Sequence, residues 1–184
     1  MKNISFELRR NLFHLIFGCL LSLIVFFGDQ KFLVPFFSGL VVSGVVISKA
    51  IEKRPVPILS WFVEKFGRKD EPPGRGAINF LTGVLISLLF FDPKIVFIGI
   101  LVLSFDDSFS TIIGISFGKH KIRNNKTLEG FLGGFAAALF VSCMFIPLTK
   151  SILVSLVAAV IELYAFLDDN LLIPISACIV ISLT

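Results

Sequence analysis

The chain has 184 residues, 55% of them hydrophobic and only 16% charged, with a net charge of +4. A soluble domain carries about 25% charged residues. That shortfall excludes a soluble fold and marks an integral membrane protein, and the length fits one domain over 1–184. The three cysteines, Cys19, Cys143 and Cys178, lie inside apolar runs without CxxC spacing, which excludes a disulfide framework and a zinc site.

A membrane helix needs about 20 mostly apolar residues, with about 17 tolerated. Stretches that meet this fall at 11–27, 31–50, 76–91, 95–117, 128–148, 151–167 and 170–184. The expected fold is therefore all-α, a polytopic helix bundle of about seven transmembrane helices. Lys2, Arg9 and Arg10 precede the first run, but it is long for a signal sequence and no small-x-small site follows it, so it reads as the first helix.

With the N-terminus on one side, that side also receives the basic residues of 49–75 and of 119–126. The opposite side receives only Lys31, Lys94 and Lys150 of the 17 basic residues. Positive loops face the cytoplasm, so the N-terminus is expected there, and the net charge reads as topology rather than nucleic-acid binding. The longest interruption is 51–75. Within it, Ile58, Leu59, Trp61, Phe62 and Phe66 alternate with Glu64, Lys65 and Arg68 in a pattern that predicts an amphipathic helix in the cytoplasmic interface.

Charge is costly inside the membrane, about 2.5–3.5 kcal/mol per group at a helix centre on insertion scales, so it points to function. Asp106 and Asp107 interrupt the fourth span, roughly 18 Å from its outer end at Lys94 by the α-helical rise. Glu162 stands as far from Lys150, and His14 falls in the same layer. Glu7, Arg10 and His14 share one face of the first helix, and Asp107, Thr111, Gly114 and Gly118 form a polar-and-small stripe on the fourth. The repeats Gly114-x-x-x-Gly118 and Gly130-x-x-x-Gly134 also suit helix packing, and Asp169 also suits an N-cap.

The stretch GKHKIRNNKTLEGFLGGF is basic and then opens a helix through glycines. Basic side chains and free N–H groups at a helix start suit a phosphate-bearing ligand. The third, fifth and seventh spans begin at the cytoplasmic face, with their positive dipole ends toward the acids. Carboxylates beside phosphate are what Mg²⁺ requires. Gly114-Ile-Ser-Phe-Gly118-Lys119-His120 is not a Walker A loop: it is one residue short and lacks Ser or Thr after the lysine.

Four blocks in order resemble the CTP-dependent polyprenol kinases, the family of dolichol and phytol kinases. Glu7-Leu-Arg-Arg10-Asn-Leu-Phe-His14 is similar to the family's E-x-x-R-K-x-x-H opening, with Asn11 at the usual Lys. Asp107 through Gly114, Gly118 and Lys119 resembles its D-x6-G-x3-G-K block, with Asp106 at the usual Gly. Lys126-Thr-Leu-Glu129-Gly130 resembles K-S/T-x-E-G, and Glu162 with Asp168-Asp169-Asn170-Leu-Leu-Ile-Pro174 resembles the late E…DN-x-x-x-P block. The GKHK…KTLEGFLGG stretch is also similar to CDP-diacylglycerol synthases, whose C-terminal signature has no counterpart here.

The resemblance implies transfer of the γ-phosphoryl group of CTP to the hydroxyl of a membrane isoprenoid alcohol, with Mg²⁺ or another divalent cation. It casts Asp107, Glu162 and Asp169 as catalytic acids, with Asp107 and Asp169 as metal ligands and Asp106 and Glu162 as further candidates for the metal. Arg10, His14, Arg75, Gly118, Lys119, Lys126, Gly130 and Asn170 would bind nucleotide or phosphate. Glu7 would orient Arg10, and Glu129 would orient Lys126 or share the metal. The implied partners are CTP, a lipid alcohol and the bilayer, with the site open to the cytoplasm. The alternatives are a cytidylyltransferase acting on a lipid phosphate and a transporter using intramembrane acids.

Overall fold

The computed structural model describes residues 4–53, 71–123, 126–164 and 167–183. The segment expected to hold the amphipathic interfacial helix, 58–66, lies outside them. Each of the seven apolar stretches is helical: α1 (Ile4–Phe27), α2 (Gln30–Lys53), α3 (Arg75–Phe90), α4 (Pro93–Phe117), α5 (Leu128–Cys143), α6 (Leu148–Tyr164) and α7 (Asp169–Leu183). By length and composition α1, α2 and α4 are long and apolar enough to cross a membrane, while α3, α5 and α7 are shorter apolar helices. The basic stretch before α5 adds one departure from an all-helical chain. There β1 (Lys121–Arg123) pairs antiparallel with β2 (Lys126–Thr127).

Local chemistry sets the helix starts. Asp92 caps α4, its side chain accepting from the Lys94 N–H at 2.8 Å, and Pro93 takes the first turn, where its missing donor costs nothing. Thr127 caps α5 by accepting from the Gly130 N–H at 3.1 Å. Before α3, Gly74 sits at φ 74°, a left-handed conformation that glycine adopts without strain. Asp168 precedes α7, and its side chain accepts from the Asn170 N–H at 3.1 Å.

α4 is the hub, packed by α1, α5, α6 and α7, while α2 docks on α3 at the periphery. Its buried run Val96–Ser104 meets Leu21 and Val25 of α1, Val84 and Leu88 of α3, and Ile173 and Ala177 of α7 in one apolar core. That core fills the half of the molecule nearest the α1–α2 and α3–α4 turns. The buried acids collect in the other half, past Ser104. In lipid, close packing rather than water exclusion holds helices together, so small residues sit at the crossings.

The α4–α5 crossing is the tightest case. A Cβ on Gly130 would stand 2.7 Å from the Ser110 carbonyl oxygen and 3.2 Å from Gly114 Cα. On Gly134 it would stand 2.8 Å from Asp106 Oδ1. These glycines are packing residues, because backbone cannot yield to a side chain there. Gly130→Val is therefore expected to destabilise the bundle by about 1–3 kcal/mol, the usual cost of overpacking. A lowered melting temperature in detergent would show it; an unchanged one would mean the helices part freely.

Candidate active site

Three acids from three helices converge at the end of the bundle where α5 and α7 begin. Asp107 comes from α4, Glu162 from the last turn of α6 and Asp169 from the first turn of α7. One carboxylate oxygen of each lies within 4.8 Å of the others. Asp107 and Glu162 are buried, Asp169 partly so. Asp168 takes the cap position before α7, and Asp169 reaches the cluster through Oδ2.

Lys126 reaches this cluster from β2. Its Nζ is 2.8 Å from Glu162 Oε1 and 4.0 Å from Asp169 Oδ2, and it also donates to the Glu162 main-chain carbonyl. Ser110 donates to Glu162 Oε1 at 3.1 Å, which fixes the carboxylate from the α4 side. On the opposite flank His14 Nε2 stands 3.8 Å from Asp107 Oδ2, its ring edge-on to Phe80 of α3.

α1 is tied to the same level of α4. Ser108 donates to the Asn11 carbonyl at 3.1 Å, and Asn11 donates to the Glu7 carbonyl at 2.8 Å. Glu7 Oε2 pairs with the Arg10 guanidinium at 2.9 Å. Asn170 is buried, and its amide donates to Asp168 Oδ1 at 2.9 Å and Asp169 Oδ1 at 3.3 Å. Gly76 brings the first turn of α3 near it: a Cβ there would lie 3.9 Å from Asn170 Nδ2. Arg75 stands exposed on that turn, and Lys119 is exposed after α4.

Glu129 is placed differently from the expectation that it orients Lys126 or shares the metal. Its carboxylate accepts from the Lys119 N–H at 3.1 Å, from the His120 N–H at 3.2 Å, and pairs with His120 Nδ1 at 2.7 Å. It clamps the turn between α4 and the hairpin, and so reaches Lys126 only through the hairpin. Gly118 is likewise a packing position, since a Cβ there would lie 2.7 Å from Thr127 Cγ2 and closer still to the Gly114 carbonyl.

Asp106 does not belong to the three-acid cluster. It is fully buried against Gly134, and neither carboxylate oxygen has a hydrogen-bond partner among the described residues. Sequence reasoning missed Ser110 and His120. Ser110 carried a signal, since it lies one turn after Asp106 on the same helical face; His120 carried none.

The donor set fits a hard divalent cation. It offers carboxylate oxygens and no thiol, and the buried oxygens Asn170 Oδ1 and Asn11 Oδ1 have no hydrogen-bond partner among the described residues. Acids, an ammonium group and the starts of α3, α5 and α7 on one end of an apolar bundle suit a polyphosphate presented to a lipid.

Residues 76–169 match the cytidylyltransferase family. The chain is 37% identical over 181 residues to an uncharacterized protein of Methanocaldococcus jannaschii, covering 96% of this chain and 93% of that one. It is 35% identical over 86 residues to the dolichol kinase of Schizosaccharomyces pombe, covering 42% of this chain and 17% of the kinase. With the CTP-dependent diacylglycerol kinase 1 of the same yeast it shares 30% identity over 128 residues, 57% of this chain and 58% of that enzyme. The chain thus spans less than two thirds of either yeast kinase. No solved structure matches it.

Proposed function

The chain belongs to the cytidylyltransferase family, and we propose that it transfers the γ-phosphoryl group of CTP to the hydroxyl of a membrane isoprenoid alcohol, a reading supported by its likeness to the two yeast kinases. The observation that carries this reading is the Asp107–Glu162–Asp169 cluster with Lys126 upon it, set at one end of an apolar bundle. In this reading all seven helices cross the membrane. The N-terminus and the acids face the cytoplasm, where CTP is found, and the acceptor never leaves the lipid.

Phosphoryl transfer asks a protein mainly for positioning and charge neutralisation. Asp107 and Asp169 would hold Mg²⁺, which when bound offsets phosphate charge and orients the transferring group. Lys126 and Lys119 neutralise phosphate oxygens from the hairpin side, and the Glu129 clamp on the Lys119–His120 turn sets where Lys119 stands. Arg10, steadied by Glu7, and His14 receive phosphate from the α1 side, with Arg75 and Asn170 completing the rim.

Glu162, fixed by Ser110, accepts the proton of the alcohol as its oxygen attacks the γ-phosphorus. The bond from that phosphorus to the β-bridging oxygen breaks, and CDP leaves toward the cytoplasm. Proton transfer by a positioned carboxylate contributes about 10²–10⁴-fold.

The test supplies the purified protein with Mg²⁺, a polyprenol pool, phytol or diacylglycerol, and CTP labelled in parallel at the γ or the α phosphate. Label entering lipid from the γ position alone is the expected result, and the acceptor that takes it names the substrate. Label from the α position, requiring a lipid phosphate, would replace this reading with cytidylyl transfer. No label from either position would leave ion or solute transport as the use of the buried acids.

A further inference from the structure

Lys126 lies against two of the three clustered acids. Its ammonium contacts Glu162 through both the carboxylate, at 2.8 Å, and the main-chain carbonyl, and it approaches Asp169 to 4.0 Å. Two of the three clustered acids are therefore already served by a positive charge from the chain itself.

Lys126 also has room to leave. It opens β2, paired with Arg123 of β1, and its side chain is about one-third exposed (34%), unlike that of Glu162 at 7%. Turning outward moves its charge toward the solvent side, where phosphate would lie, without passing through the core.

We infer that Lys126 is a specificity-determining residue: it is the resident counter-ion of the acid cluster and admits a divalent cation only together with a polyphosphate. This rests on reading the cluster as a cation-and-nucleotide site. A bare divalent cation entering beside the ammonium meets a like charge within a few ångströms, and at that range repulsion in a partly buried site is strong. A cation that arrives with a polyphosphate brings the oxyanions that draw the ammonium off the carboxylates. The site thereby discriminates the metal–nucleotide complex from free metal.

The test is equilibrium dialysis of radioactive Mn²⁺ against the full chain in detergent, with CTP either absent or equal in both chambers. Wild type is compared with Lys126→Met and Lys126→Arg. Without CTP, Lys126→Met is expected to bind Mn²⁺ about tenfold or more tightly than wild type, while Lys126→Arg, which keeps the charge, stays near wild type. CTP is expected to tighten Mn²⁺ binding to wild type by about tenfold or more and to leave Lys126→Met little changed.

Equal nucleotide-free affinity in wild type and Lys126→Met would overturn the inference. So would a wild-type affinity indifferent to CTP, a readout that stands even if Lys126→Met does not fold. Absence of Mn²⁺ binding in every state overturns it as well. The kinase reading fails separately: Mn²⁺ binding that follows this pattern, with no label reaching lipid, would refute phosphoryl transfer and leave the role of Lys126 intact.

Discussion

Asp107→Asn is expected to lower the rate of phosphoryl transfer by about a thousandfold, equivalent to about 4 kcal/mol of transition-state stabilisation. The exchange keeps the shape of the side chain and removes one negative charge from the cluster. Asp107 is the acid that faces both ways, toward Glu162 and Asp169 on one flank and His14, 3.8 Å away, on the other. Its charge is buried, so no solvent replaces it when it is lost. Removal of one preorganised electrostatic group from a closed site costs about 10²–10³ in rate, and loss of a cation ligand adds to that. The asparagine variant should melt near the wild-type temperature, which separates a lost site from a lost fold. A rate within tenfold of wild type would remove Asp107 from the chemistry.

The second large effect is expected at Glu162, where function and stability separate. Glu162→Gln keeps an acceptor for Ser110 but loses the proton-accepting charge, and a fall of about a hundredfold or more in rate follows from the loss of a general base. Glu162→Ala removes more. Lys126 loses its 2.8 Å partner and the Ser110 hydroxyl loses a carboxylate. Breaking a fully buried ion pair costs about 3–5 kcal/mol. Lys126 is one-third exposed, so solvent screening reduces the expected loss to about 1–2 kcal/mol. Denaturation in detergent should rank wild type and Glu162→Gln above Glu162→Ala, while the rate assay ranks both variants far below wild type. A fully active Glu162→Gln would reassign the proton to another group.

Much of this arrangement is legible in the residues because the membrane makes charge expensive. Asp106, Asp107 and Glu162 stand out in apolar runs, and equal counts from Lys94 to Asp106 and from Lys150 to Glu162 put them at one depth before any fold is known. The seven apolar stretches become seven helices for the same reason. Legibility stops at partners. Nothing in the spacing says that Ser110 reaches across to Glu162, since the two residues are 52 positions apart.

Glu129 shows a different limit. The family resemblance casts it as orienting Lys126 or sharing the metal, but the helix cap at Thr127 turns the chain so that Glu129 meets the preceding turn instead. The glycine repeats could serve a ligand or a neighbouring helix with equal chemistry. Only the approach of Gly130 to the Ser110 carbonyl decides for the helix.

The helices come in two heights, and this bears on the bilayer itself. α1 and α2 have 24 residues and α4 has 25, whereas α3 and α5 have 16, α6 has 17 and α7 has 15. At 1.5 Å per residue the long ones reach about 36 Å and the short ones only about 22–26 Å. The hydrocarbon layer is about 30 Å thick. In the proposed reading, where all seven helices cross the membrane, lipids beside α5, α6 and α7 would meet a wall shorter than the hydrocarbon layer, a hydrophobic mismatch relieved by local thinning. Thinning draws headgroups and water down toward Glu162 and Asp169. In that reading a lipid hydroxyl resting at the lowered surface would be brought to the depth of the acids by the membrane itself.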